Sequence, residues 1–489
     1  MRRVRKRYVA LLVILLLVGW VGWKVYAIMS ARPGPLIDYT PQLIALSEKY
    51  QPEGENGWPA LMKALEHFDN IGEPDVEGWP TDDNGRKLAT DVMRICQGPF
   101  DAKRIAHEIA YLEHVGRSGV LRELQEALSA PRFVRTEPVS PDTGVYFLIL
   151  PELGPCVQMG KTRCAAMRVA AATGDWQGVI DAGRDQLRLA AAISYAPVDA
   201  SHLAALAIQS NLFIELNQEL VEYDLGESAC EQMLQLLELG PKPAPMGFSL
   251  ELQRLGFKNL VNLTYSDDGH GDGILLVREV ETYLMTDTWS SKYGSIDHSP
   301  SNVLGLGYAT RSETLDAVDL VFDAAVRQSR MTRTEREFDP FDLADIRGAL
   351  PENQLILRRR TPNLSRLLSV DLATRSGMAS MRVLLAIELY EARHGAPPGS
   401  LDDLVPECLA KVPTDPVSDS PYGYRRRQPD RDDPREFWLY SLGADRTDNG
   451  GQELGGALGT PIESLQSDRF QSGYDYIFNR LREPVEEER

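Results

Sequence analysis

Three segments of this chain place metal-type ligands close enough together to suggest chemistry. The first is His107-Glu108-Ile109-Ala110-Tyr111-Leu112-Glu113-His114, which invites comparison with the H-E-x-x-H zinc pattern. That pattern needs its two histidines one helical turn apart, but Tyr111 holds the second ligand position. On one helix His107 and His114 would lie about 10.5 Å apart along the axis, too far for one ion. A solvated or half-buried helix face is the simpler reading. The second segment, Asp268-Gly269-His270-Gly271-Asp272-Gly273-Ile274-Leu275 closing with Glu279, sets oxygen ligands at positions one, five and twelve of a calcium loop and glycine at six. His270 occupies position three, where an oxygen belongs, and the alternative is an acidic loop between two helices. The third segment, around Asp445 and Asp448, lies in the C-terminal region described below.

Other chemistry finds little support. The chain has 7 histidines, with no G-x-S-x-G turn, no Walker-type Gly-Lys-Ser/Thr loop and no C-x-x-C pair, so nucleophile triads, phosphate cradles and zinc ribbons are not indicated. Five cysteines, Cys96, Cys156, Cys164, Cys230 and Cys408, leave at least one without an internal partner. Cys156 and Cys164 could pair only if Cys156 preceded the helix, because eight residues along one helix separate them by about 12 Å. Burial in the core is the plainer fate.

The elements that must position these residues are mostly helical. Residues 8–29 are apolar except for Lys24, enough for a helix of roughly 33 Å that crosses the hydrocarbon core of a bilayer. Arg2, Arg3, Arg5, Lys6 and Arg7 make residues 1–7 a basic cytoplasmic tail, and Trp20, Trp23 and Tyr26 suit the far interface. The expectation is a single-pass signal anchor in a bacterial inner membrane, N-terminus cytoplasmic and the bulk of the chain in the periplasm. A cleavable leader is the rival, but Val25-Tyr26-Ala27 makes a poor cleavage site. The formal charge is −19, and the basic tail masks a still more acidic body. Such a body repels phosphate backbones, so no nucleic-acid partner is expected.

Residues 30–372 read as an extracytoplasmic α-helical region with a sub-boundary near 241–245, where Pro241, Pro243 and Pro245 break the pattern. The run Ala170-Ala171-Ala172-Thr173-Gly174-Asp175-Trp176 is similar to a tetratricopeptide helix-turn-helix. Only one such unit is legible and a solenoid needs about three, so an irregular bundle is expected. Residues 145–150 lean toward a strand.

Residues 373–455 form the most specific stretch. Met378, Met381, Leu385 and Leu389 make one helical stripe that should end near Gly395, and Ser400 is a candidate cap for a short helix over 401–409. Two aromatic segments, Tyr422-Gly423-Tyr424-Arg425-Arg426 and Phe437-Trp438-Leu439-Tyr440-Ser441, should pair as a hairpin over that helix, giving a small α+β module with a 456–489 extension. With Val412-Pro413-Thr414-Asp415-Pro416 and Ser441-Leu442-Gly443-Ala444-Asp445, this order resembles the C-terminal part of the major, G-type pseudopilin of type II secretion systems. The resemblance implies calcium in the loop after the last strand, held by Asp445, with Asp448 and the Leu442 carbonyl beside it. Arg446 stands where that family has glycine, and Glu453 could close the loop. No processing-site glycine followed by a helix glutamate is present in the N-terminal segment. The whole chain is thus similar to membrane-anchored bacterial envelope proteins with a helical-repeat-like middle.

The function expected is binding or scaffolding of a protein partner through the extracytoplasmic helical region. Association with a type II secretion or pseudopilus-like system is the second reading. A hydrolase with carboxylate-based chemistry in a helical cleft is the third. Calcium is the one cofactor expected.

Overall fold

The computed structural model describes residues 14–23, 25–26, 29–72, 102–139, 150–196, 199–267, 272–284, 307–341, 343, 345–361, 363–430, 433, 435–443, 445–452 and 475–479. Over these residues the protein is mainly helical with a small antiparallel sheet. Residues 14–23 are helical and expose Leu16, Trp20 and Trp23. No described helix is long and apolar enough to cross a membrane; residues 8–13, 24, 27 and 28 of the expected span lie outside the described residues, as does nearly all of the 145–150 run.

The first helices are α1 (Thr40–Lys49), α2 (Trp58–Asn70), α3 (Ala102–Ser118) and α4 (Val120–Leu128). They lead into α5 (Leu153–Ala172), α6 (Trp176–Ser194), α7 (Asp199–Glu222) and α8 (Gly226–Leu239). The Gly174-Asp175 turn behaves as the sequence predicts. The Asp175 carboxylate accepts a hydrogen bond from the Gly178 backbone at 3.0 Å and caps α6, which folds back on α5. Trp176 meets Tyr223 edge to face at 6.4 Å, so the aromatic reaches the end of the next helix.

The prolines at 241–245 do end α8, and α9 (Met246–Thr264) begins after them. Then come α10 (Val277–Leu284), α11 (Arg311–Ser329), α12 (Arg333–Glu337), α13 (Ile346–Ala349) and α14 (Leu355–Arg360). The long helix α15 (Leu364–His394) follows. Asn363 caps its start, accepting from the Arg366 backbone at 2.9 Å, and Gly395 at φ +75° ends it in the left-handed conformation. The boundary expected at 372/373 therefore falls inside this helix.

Beyond it, Ser400 and Asp403 form a capping box on a short 3-10 turn, Leu401–Leu404, in place of the longer helix expected to residue 409. Strands β1 (Thr414–Asp415) and β2 (Ser420–Pro421) pair antiparallel. The predicted hairpin is present as β3 (Gly423–Arg426) and β4 (Phe437–Ser441), with Tyr424 opposite Leu439. Gly423 is needed there because a Cβ would lie 2.0 Å from the Tyr440 ring. A third strand, β5 (Tyr476–Ile477), comes from the extension and pairs with β4.

Three main apolar cores result. One joins α2 to α7 around Trp58 and Leu124; one joins α9, α11, α14 and the start of α15 around Phe257 and Phe322. The third packs α5 to α8 and the second half of α15 against the sheet, through Leu216, Leu385 and Leu439.

Candidate functional site: a cavity where the helical cores meet

A cavity of about 410 Å³ lies where α7, the proline linker, α8 and α15 come together. That volume is within the range of small-molecule sites. Its apolar wall includes Leu206, Leu237, Met246 and Met378, and its polar wall includes His202, Gln209, Lys242, Asp371, Arg375 and Arg382. The proline linker builds one side because three prolines within five residues cannot continue a helix and leave the backbone extended around the opening.

His202 is the unusual group. It is 1% exposed, and neither ring nitrogen has a hydrogen-bond partner among the described residues. Burial holds its imidazole below the ordinary value, against the opposing pull of the Asp371 carboxylate. The ring is therefore neutral near pH 7, with one nitrogen able to donate and the other to accept. A buried polar group left in this state is costly unless a bound group satisfies it. Asp371 sits 3.0 Å from Arg375, and Arg382 pairs with Glu238. Lys242 is exposed on the linker and makes no ion pair among the described residues. The cavity holds donors, acceptors and charges beside a wide apolar wall, a composition suited to holding a molecule.

The expected sites are used differently. His114 Nε2 lies 3.3 Å from the Gly72 carbonyl oxygen. Glu108 proves the important residue of the His107–His114 segment: it is buried and takes both Nε and Nη2 of Arg168, the latter at 2.9 Å. Glu215 binds the other side of the same guanidinium. Burial alone would lower the Arg168 pKa, but Glu215 and Glu108 raise it overall, so Arg168 stays charged. This carboxylate pair is enclosed with its cation and takes no part in the cavity lining.

In the 268–279 loop, Asp268 lies outside the described residues. Asp272 accepts from the Ser312 backbone at 2.9 Å, at the start of α11. Glu279 lies on α10 and pairs with Arg278 at 2.8 Å. The loop ligands are thus engaged separately.

The 442–451 loop brings more together. Asp445 accepts from the Thr447 backbone at 3.0 Å, and Asp448 accepts from the Tyr440 hydroxyl at 2.9 Å and the Gly450 backbone at 2.8 Å. Asp475, which sequence reasoning missed, closes the loop by accepting from Asn449 and Gly451. Burial raises the Asp475 carboxyl, and Asp448 and Asp445 add to that rise, which exceeds the lowering by its backbone donors. Arg446 adopts φ +58°, the left-handed conformation natural to glycine, and turns its guanidinium to Glu337 at 3.1 Å. Among the described residues no group of three or more His, Cys, Asp or Glu is arranged to hold a metal. Glu453 lies outside the described residues. Among the described residues Cys156, Cys164, Cys230 and Cys408 form no disulfide with one another, and Cys156 and Cys164 both lie within α5.

The two motifs that carry the resemblance meet at one carboxylate. Asp415 is fully buried and accepts from the Ser376, Ser418 and Ser441 hydroxyls and from the Val417 and Ser418 backbone. It ties α15, the β1–β2 turn and the end of β4 together. Comparison with protein-family models, curated proteins and solved structures gives no match to this chain.

Proposed function

We propose that this chain is a single-pass protein of the bacterial inner membrane whose extracytoplasmic helical region is a binding module, with the cavity at His202 as its binding site. The C-terminal α+β module serves as structural support and docking surface. The observation that carries this reading is the buried imidazole with two unsatisfied nitrogens in the wall of a cavity of small-molecule size. Anchoring is supported by the apolar composition of residues 8–29 and by the exposed apolar side chains of helical residues 14–23.

The test is to purify the full chain from membranes and examine it by native mass spectrometry beside Ala379→Trp, which fills the cavity from α15. A small molecule retained by the wild type and lost from the variant is the expected result. Wild type and variant both free of ligand, with identical thermal responses to a metabolite extract, would sink the reading.

Calcium enters the proposal at the loop of Leu442, Asp445 and Asp448, because Asp448 and Asp445 both help to raise the Asp475 carboxyl, a repulsion that a divalent cation would relieve. Added calcium is expected to raise the Tm of the wild type and to leave Asp475→Asn unchanged; equal responses would remove calcium from this loop. Association with a type II secretion system is supported by the order of the module's motifs and by the Asp415 contact that joins them.

A further inference from the structure

We propose that the His202 cavity takes an amphipathic monoanion, a carboxylate on a compact apolar body; this rests on the cavity being the binding site. In a chain of formal charge −19, an acidic lining would be the ordinary expectation. The lining instead carries Lys242, Arg375 and Arg382 against Asp371 alone. Asp371 occupies Arg375 at 3.0 Å, and Glu238, which lies outside the lining, occupies Arg382. One positive charge, that of Lys242, is left over on the wall.

The remaining chemistry fits the same ligand. Leu206, Leu237 and Met378 offer an apolar surface for a hydrocarbon or aromatic body. Neutral His202 offers a donor where a carboxylate oxygen can be satisfied, and a carboxylate in that position would relieve the orphaned ring nitrogen. A cationic ligand would meet three basic side chains, and a neutral apolar one would leave both imidazole nitrogens unpaired.

The test uses the full chain in nanodiscs and isothermal titration with three probes of one shape: 4-phenylbutyrate, 4-phenylbutan-1-ol and 4-phenylbutylamine. The carboxylate should bind about tenfold more tightly than the alcohol, with the amine weakest. Lys242 is exposed, so Lys242→Glu should keep the fold and lose about tenfold for the carboxylate while sparing the alcohol. Ala379→Trp should abolish binding of all three. Equal affinity for acid and alcohol, tighter binding of the amine, or no effect of Lys242→Glu would overturn the anion assignment. In those cases loss of binding in Ala379→Trp would leave the binding-site reading standing. Binding that survives Ala379→Trp, or no binding of any probe with no retained ligand in the purified protein, would overturn both.

Discussion

Arg168 keeps a full charge where no solvent reaches it, because Glu108 and Glu215 hold it from two sides. A buried pair adds little stability over a well-packed apolar replacement, but breaking it strands charge in a medium that cannot solvate it. Arg168→Met should therefore cost about 3–5 kcal/mol in chemical denaturation. Adding Glu108→Gln and Glu215→Gln should recover most of that loss, and failure of the triple variant to recover would show that Arg168 acts through shape. Asp415 gives a second prediction. Its five donors come from three segments, so Asp415→Ala should destabilise by about 3 kcal/mol, whereas Ser441→Ala, which removes one donor, should cost about 1 kcal/mol. His202 supplies a pH dependence. Its folded pKa lies below the ordinary 6.5, so the unfolded chain takes up the proton first. The stability it contributes is present above 6.5 and is lost as pH falls from there through the lowered folded value. In His202→Gln the slope of Tm against pH below 6.5 should be shallower; an unchanged slope would contradict the buried neutral ring.

Among the elements, α15 has the largest consequence. Its first half belongs to the core around Phe322 and its second half to the core under the sheet. Within the second half Glu388 is partly buried. Burial and the neighbouring Glu391, Asp224 and Glu436 carboxylates push its pKa up to about 8, from an ordinary 4.5. The folded state then holds a proton that the unfolded chain has released, so this contribution is full below 4.5 and lost as pH rises through about 8. Glu388→Gln should equal wild type near pH 4.5 and gain on it by about 1 kcal/mol per pH unit from there toward pH 8; a gap that does not grow with pH would reject the shift. The end of this helix was legible, since Gly395 must adopt the left-handed conformation before Pro397. Its start was not, because Met378, Met381, Leu385 and Leu389 reveal one stripe while the helix is wrapped on several sides, as the burial of Leu364, Leu372 and Ser380 shows. The hairpin was legible from its aromatics, but β5 was hidden because two residues, Tyr476 and Ile477, carry no pattern. His202 was invisible for a similar reason: one histidine among alanines and leucines reads as ordinary core, and only the third dimension places Asp371 and Lys242 with it.

For the molecule as a whole, the acidic body and basic tail argue for separate environments. On the proposed topology residues 1–7 would meet the cytoplasmic face of an anionic bilayer and the remainder would lie outside. Protease added to intact spheroplasts should digest the body while the anchor stays with the membrane after carbonate washing; a body protected until the cells are lysed would reverse the orientation. The shared helix α15 also fixes an order in time. Met167, Leu187, Leu216 and Leu237 leave the ribosome early, yet the surfaces they pack against, from Met381 to Phe478, are made last. The growing chain must hold a half-built apolar face open until Phe478 is made. Its assembly therefore depends on the pace of translation, and a stall after Leu239 would leave that face unsheltered.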